Sequence, residues 1–191
     1  YLLYAYGYVG FAADRQARED VDRANATRAR TRDLALRSHA YALRALELRR
    51  PGLAAALAAD PAAALRALAD ARDVDLLYAA AASLALAIGN AKGEAALLAR
   101  LAEVDALLAR ALALDEAWQD GALHELAVSW RAARPGVFDR AAVDAHYARA
   151  LALSRGTRAA LFVAYAEAVA VRAQDRALFD DLVARALAVD P

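Results

Sequence analysis

Apolar residues return every three or four positions along most of this chain. Leu97, Leu101, Val104, Leu108 and Leu112 form one stripe, Val143, Tyr147, Ala150 and Leu151 a second, and Leu178, Leu182, Val183, Ala186 and Leu187 a third. That period gathers apolar side chains on one face of an α-helix and polar ones on the other. Breaks fall where helices end: "RRPG" (49–52), "GNAKG" (89–93), "RPG" (134–136) and "SRG" (154–156). "DP" (60–61) sets an Asp cap before a first-turn proline, a helix start. The pattern predicts about ten helices. From Leu76 to Ala91, sixteen residues carry no charge. The run falls short of the roughly 20 apolar residues of a membrane span, so it predicts a central helix buried on all sides.

The pattern also repeats. "ARALALD" (109–115), "ARALALS" (148–154) and "ARALAVDP" (184–191) are near copies, and "LRALELRRP" (43–51) is a fainter fourth. Their arginines stand at 44, 110, 149 and 185, spaced by 66, 39 and 36 residues. Such intervals belong to stacked helix pairs of the tetratricopeptide kind. Ala186 and Pro191 have the spacing expected at the end of a repeat's second helix, whereas the first-helix signature of Trp, Leu-Gly and Tyr is missing from its offsets. The expected fold is therefore all-α, a degenerate tetratricopeptide-like helix-pair solenoid, over residues 1–191 as a single domain. Each pair exposes an apolar face that only its neighbours can cover, and the stack leaves a concave surface or an internal channel.

Composition agrees with helix and narrows the chemistry. Fifty-nine of 191 residues are alanine, and Ala, Leu and Arg are strong helix formers. Net charge is zero, which argues against a nucleic-acid partner. Residues 14–50 carry ten arginines against six acids, a local basic bias. There is no cysteine, hence no disulfide and no thiolate chemistry. The chain opens inside a helix without methionine, so a leader or anchor is expected to have preceded it. No Gly-rich phosphate loop, serine elbow or loop-borne carboxylate pair is present; Ser83 and Ser129 fall inside helices and Ser154 ends one. No enzyme activity and no cofactor are expected.

A few residues stand out against this background. Four of eight tyrosines lie in the first eight residues. On a regular helix Tyr1, Tyr4, Tyr8 and Phe11 share one stripe, with Gly7 and Gly10 on one flank. The stripe suits either the wall of a cavity for an apolar molecule with a hydroxyl or a terminal helix packed on the stack. His124 and Glu125 are adjacent, but His-Glu-x-x-His is not completed, and His39 and His146 have no ligand-spaced partner. No metal site is expected. His124 and Glu125 either tie helix to helix or, for His124, meet a ligand's polar head. Glu167 interrupts "LFVAYAEAVAV" and needs a partner if buried; Arg172 and Arg176 are near in sequence. "QDR" (174–176) reads as a helix start, with Asp175 in the first turn or as its cap.

The second half carries a resemblance. Asp120-Gly121-Ala122-x-His124-Glu125, then Arg149 to Ser154, then Tyr165-Ala166-Glu167, then Gln174-Asp175-Arg176 stand in the order and spacing of the T component of TRAP transporters, a TatT-like tetratricopeptide-repeat family. "AYGYVGFAAD" resembles the family's first helix and "LLYAAAASLALAI" its central one. Arg172 departs from the proline or small residue usual at its position. The resemblance implies a non-enzymatic periplasmic lipoprotein that docks the substrate-binding protein of a solute importer, can form a homo-oligomer, and holds a hydrophobic small molecule or lipid in an apolar cavity. The lipid anchor would attach outside this chain. With the aromatic positions, the resemblance places Tyr4, Tyr8, Phe11, Tyr78, Trp118, Trp130, Phe162 and Tyr165 around that cavity, with His124 at its polar end. A lipid or sterol carrier shares the cavity. A peptide-binding adaptor would instead use an open groove and the Arg-rich stretch 28–50.

Overall fold

A computed structural model describes residues 1–91, 93–136 and 138–190. The helix end expected at Pro191 lies outside them. Among the described residues there is no strand; the all-α expectation holds. The chain forms two compact units, Tyr1–Leu114 and Asp115–Pro191.

In the N-terminal unit, α1 runs over residues 2–16. It is α-helical at Leu2–Tyr4, widens to a π-turn at Ala5–Gly10, and returns to α at Phe11–Gln16. α2 (Val21–Arg49) starts where the Asp20 carboxylate accepts the Arg23 N–H at 2.9 Å, a cap that satisfies a free amide of the first turn. At 29 residues it is about 43 Å long. α3 (Leu53–Ala59) follows the "RRPG" break, and α4 (Pro61–Arg66) opens on Asp60, which accepts from Ala63 N–H, with proline in the first turn. After a 3₁₀ turn at Ala71–Asp73 comes α5 (Val74–Gly89), then α6 (Ala95–Leu98) and α7 (Leu101–Leu114).

α5 is the expected central helix. It packs against α2 on one side and α7 on the other, burying Val74, Leu77, Ala80, Ala81, Leu84, Ala87 and Ile88. Its alanines let both neighbours approach closely, which is why an Ala-rich run can serve as a core. The stripe from Leu97 to Leu112 is split between α6 and α7. Leu97, Val104 and Leu108 are buried as expected, together with Leu107 and Ala111.

The C-terminal unit contains α8 (Trp118–Ala133), α9 (Arg140–Ser154), α10 (Ala159–Tyr165, continued by a π-segment at Ala166–Val171) and α11 (Arg176–Leu187). Asp139 and Asp175 cap α9 and α11 by accepting from Ala142 and Leu178 N–H, the cap expected at Asp175. The core is built from Val128, Val143, Phe162, Tyr165, Ala166, Val169 and Leu182. Leu187 leaves its expected stripe and is 81% exposed, at the last position of α11.

Three of the four repeated arginines reach a segment roughly one repeat upstream. Arg110 donates to the carbonyl of Leu68, 42 residues upstream. Arg149 binds Glu116, 33 upstream, and Arg185 reaches Tyr147 Oη, 38 upstream. The repeats are degenerate because the same position meets a carbonyl, a carboxylate and a phenol in turn.

Candidate functional site

The aromatic helix α1 sits on α2 through a narrow seam. Ala5, Val9 and Ala13, four apart, are 0–4% exposed. Everything bulky faces outward: Tyr1 is 55% exposed, Tyr4 43%, Tyr8 69% and Phe11 61%. Tyr4 and Tyr8 stack with centroids 5.5 Å apart, and Tyr1 stacks on Tyr41 of α2 at 5.6 Å. Phe11 leaves the stripe expected for it and packs on Tyr6 at 5.7 Å. The cause is the π-turn: its wider winding, with i→i+5 closure, brings residues five apart onto one side. Arg30 lies 5.9 Å from the Tyr4 ring centroid and donates to its hydroxyl. Arg37, Tyr41 and Arg44 continue the same outer face of α2 at helical spacing, all exposed.

Two pockets open on this unit, and both are polar. One, of about 460 Å³, is lined by Arg49, Arg50, Asp70, Arg72, Asp73 and the 67–69 backbone. Its guanidinium groups are engaged: Arg49 with Asp73 and the Arg72 carbonyl, Arg50 with the Ala67 carbonyl, Arg72 with Asp70. The other, about 260 Å³, lies between Arg28, Arg32, Asn90 and Glu94.

Deeper in the unit, His39 ties three helices. Its Nδ1–H donates to the Ala80 carbonyl at 2.9 Å, and its Nε2 lies 2.6 Å from Arg100 Nη2. Glu103 Oε1 lies 3.1 Å from the same nitrogen, and Arg100 clamps Glu103 through Nε and Nη2. Burial pushes the Glu103 carboxyl up, but the hydrogen bonds with His39 and Arg100 outweigh it and hold the group at about 2. Neither the sequence spacing nor the resemblance points to this knot.

In the C-terminal unit the stretch Trp118–Glu125 has an unusual backbone. Gln119 (φ 46°), Asp120 (φ 53°) and Gly121 (φ 88°) are all left-handed, a conformation costing non-glycine residues about 1–2 kcal/mol each. Arg158 secures the turn by donating to the Gln119 carbonyl at 3.1 Å while pairing with Glu125 at 2.8 Å. His124 follows on α8, buried, with its Nδ1 2.9 Å from His146 Nδ1 on α9. Its Nε2 is 3.5 Å from Glu116 Oε2 and has no hydrogen-bond partner. Burial lowers both imidazoles, His146 to about 4, with the charges of His124 and Arg131 adding to the effect there. Glu116 is lowered mainly by its hydrogen bond with Arg149. His124 and Glu125 thus do tie helix to helix, each to a different neighbour.

Of the nine residues expected around one hollow, Tyr4, Tyr8, Phe11 and Tyr78 belong to the N-terminal unit and Trp118, His124, Trp130, Phe162 and Tyr165 to the C-terminal unit. Tyr4, Tyr8 and Phe11 stand at the surface. Phe162, Tyr165 and Trp130 are 2–8% exposed; Phe162 and Tyr165 fill the C-terminal core, Tyr165 stacked on Tyr147 at 3.9 Å and donating to Asp144. Tyr78 and Trp118 are half-buried, on α5 and α8. Glu167, expected to be a buried charge, is exposed, on a stripe with exposed Val163 and Val171. Nearby, Arg176 pairs with Asp180, and Arg172 donates to the Ala132 carbonyl and stacks 4.4 Å over Phe138. Arg30, Arg37 and Arg44 of the stretch 28–50 form an exposed row rather than a groove.

Among the described residues no three His, Asp or Glu side chains converge as metal ligands, and no helix is long and apolar enough to cross a membrane. The polar groups are spent on holding helix to helix, which defines a helix-pair repeat protein. The family model of the TRAP transporter T-component matches residues 1–191, the whole chain. The chain belongs to that family and is a component of a TRAP transport system. It matches no curated protein.

Proposed function

We propose that this chain acts on the periplasmic side of the membrane by docking the solute-binding protein of its importer, and that it does so without covalent chemistry. The observation that carries the reading is the family match along the full length. The side-chain chemistry supports it. His39, Glu103, Glu116 and Glu125 are engaged in ion pairs or hydrogen bonds that hold segments together, and His124 packs its Nδ1 against His146. A direct test is sedimentation of the purified chain with the importer's own solute-binding protein, with and without solute. A complex of fixed stoichiometry is expected; two species that sediment independently at every concentration would remove the reading.

The family's hydrophobic ligand or lipid is a second element of the proposal. The exposed rings of α1 favour contact with lipid, because they offer apolar area at the surface of the chain. Solvent extraction of the purified protein followed by mass spectrometry tests whether an apolar molecule accompanies it.

A further inference from the structure

We propose that the outer face of α1 and α2 seats on the surface of an anionic lipid bilayer. The proposal rests on the reading of α1 as an apolar contact surface and names what it contacts. Tyr4, Tyr8 and Phe11 project from a helix that buries only Ala5, Val9 and Ala13. An outward face of this kind cannot enclose a small ligand, which needs most of its surface covered. An extended, deformable surface can receive rings in separate pairs, as Tyr8 packs on Tyr4 and Phe11 on Tyr6. Tyrosine suits the headgroup level, with an apolar ring below and a hydroxyl in water.

Charge selects the occupant. Arg30, Arg37 and Arg44 share the outer face of α2. Arg30 is held against Tyr4, and among the described residues no carboxylate binds Arg37 or Arg44. The acids nearest to them in sequence are engaged elsewhere, Asp33 by Arg32 and Glu47 by the amides of Gly52 and Ala54. A second copy would bring like charges together across this face, whereas an anionic leaflet attracts them. Contact of this kind is peripheral, with α1 lying in the interface plane.

Flotation of the full chain with phosphatidylcholine vesicles, with and without phosphatidylglycerol, tests the proposal. The chain is expected to float with the anionic vesicles, to be released by salt, and to stay behind with the neutral ones. Replacing Arg37 and Arg44 together by Glu is expected to weaken partitioning by about tenfold or more, and the triple replacement Tyr4→Ser, Tyr8→Ser, Phe11→Ser to weaken it comparably. These side chains are exposed, so helical circular dichroism should be unchanged. As a second readout, Gly7→Cys supplies the only thiol at a position with open space around it. A polarity-sensitive dye there should shift to the blue on anionic vesicles alone. No flotation, equal flotation on neutral vesicles, indifference to the Arg replacements, or self-association abolished by the same replacements would each overturn the proposal. None of these outcomes bears on docking of the solute-binding protein, which is measured without vesicles.

Discussion

Gly121 meets Ala150 so closely that a Cβ on Gly121 would lie 3.1 Å from the Ala150 Cα and 3.2 Å from the Leu153 Cβ. Here the backbones of α8 and α9 touch, and the Asp-Gly pair in the sequence acquires a physical meaning. Gly121 supplies both a left-handed turn at φ 88° and the space for the contact.

Gly121→Ala should therefore destabilise the C-terminal unit twice over, by a left-handed Cβ and by overpacking, about 2–4 kcal/mol in all. Gly52→Ala is the control. Its φ is 89°, but nothing lies within 4 Å of a built Cβ, so only the left-handed backbone cost of about 1–2 kcal/mol applies. Urea unfolding of both variants checks the difference; equal losses would show that the α8–α9 contact is slack.

The His39–Arg100–Glu103 knot gives the N-terminal unit an acid limb. Glu103 is held at about 2, below the unfolded value of about 4.3. Its contribution is fully present above the unfolded value and is lost as pH falls toward 2. Glu103→Gln should cost about 1.5–3 kcal/mol near neutrality, the worth of hydrogen bonds to a charged group. It should also flatten the stability profile between about pH 4.3 and 2, read by thermal unfolding across that range.

His146 sets a second limb, at higher pH. Its folded value of about 4 lies below the unfolded one of about 6.5. The neutral ring favours the fold, so its stability is complete above about 6.5 and declines as pH falls toward 4. The groups around it are His124, Glu116, Arg149 and Arg131. His146→Gln should reduce this slope, leaving the part due to His124, and should leave the Glu103 limb intact. Imidazole titration by NMR provides the direct check; a His146 that titrates near 6.5 would contradict the burial described.

Arg158 joins Glu125 to the left-handed Gln119 carbonyl. Arg158→Met keeps much of the packing but removes both contacts, and should cost about 2–3 kcal/mol. Amide exchange at 119–121 should accelerate first, ahead of α9 and α11.

These relationships were unevenly legible in the sequence. Helix ends were readable wherever an Asp cap, Pro or Gly acts locally, as at Asp60-Pro61, Asp175 and the break after Arg49. The central helix was readable because sixteen uncharged residues have no face to give to water. Phe11 was misplaced because a π-turn changes the angular step without a local signature. Glu167 was misread because alanines around it hide which face is outward; its stripe with Val163 and Val171 appears only once the helix is packed. His124 with His146, and His39 with Glu103, join residues 22 or more apart, and pairings across helices follow from packing, which residue types alone do not specify. The family words, by contrast, identified the chain's class from order and spacing.

The account stands most directly on uptake of the importer's solute by cells lacking this chain. Uptake is expected to fall when the chain is removed and to recover with the wild-type protein. Uptake that stays unchanged after removal, with the rest of the importer present, would contradict its place in the transport system.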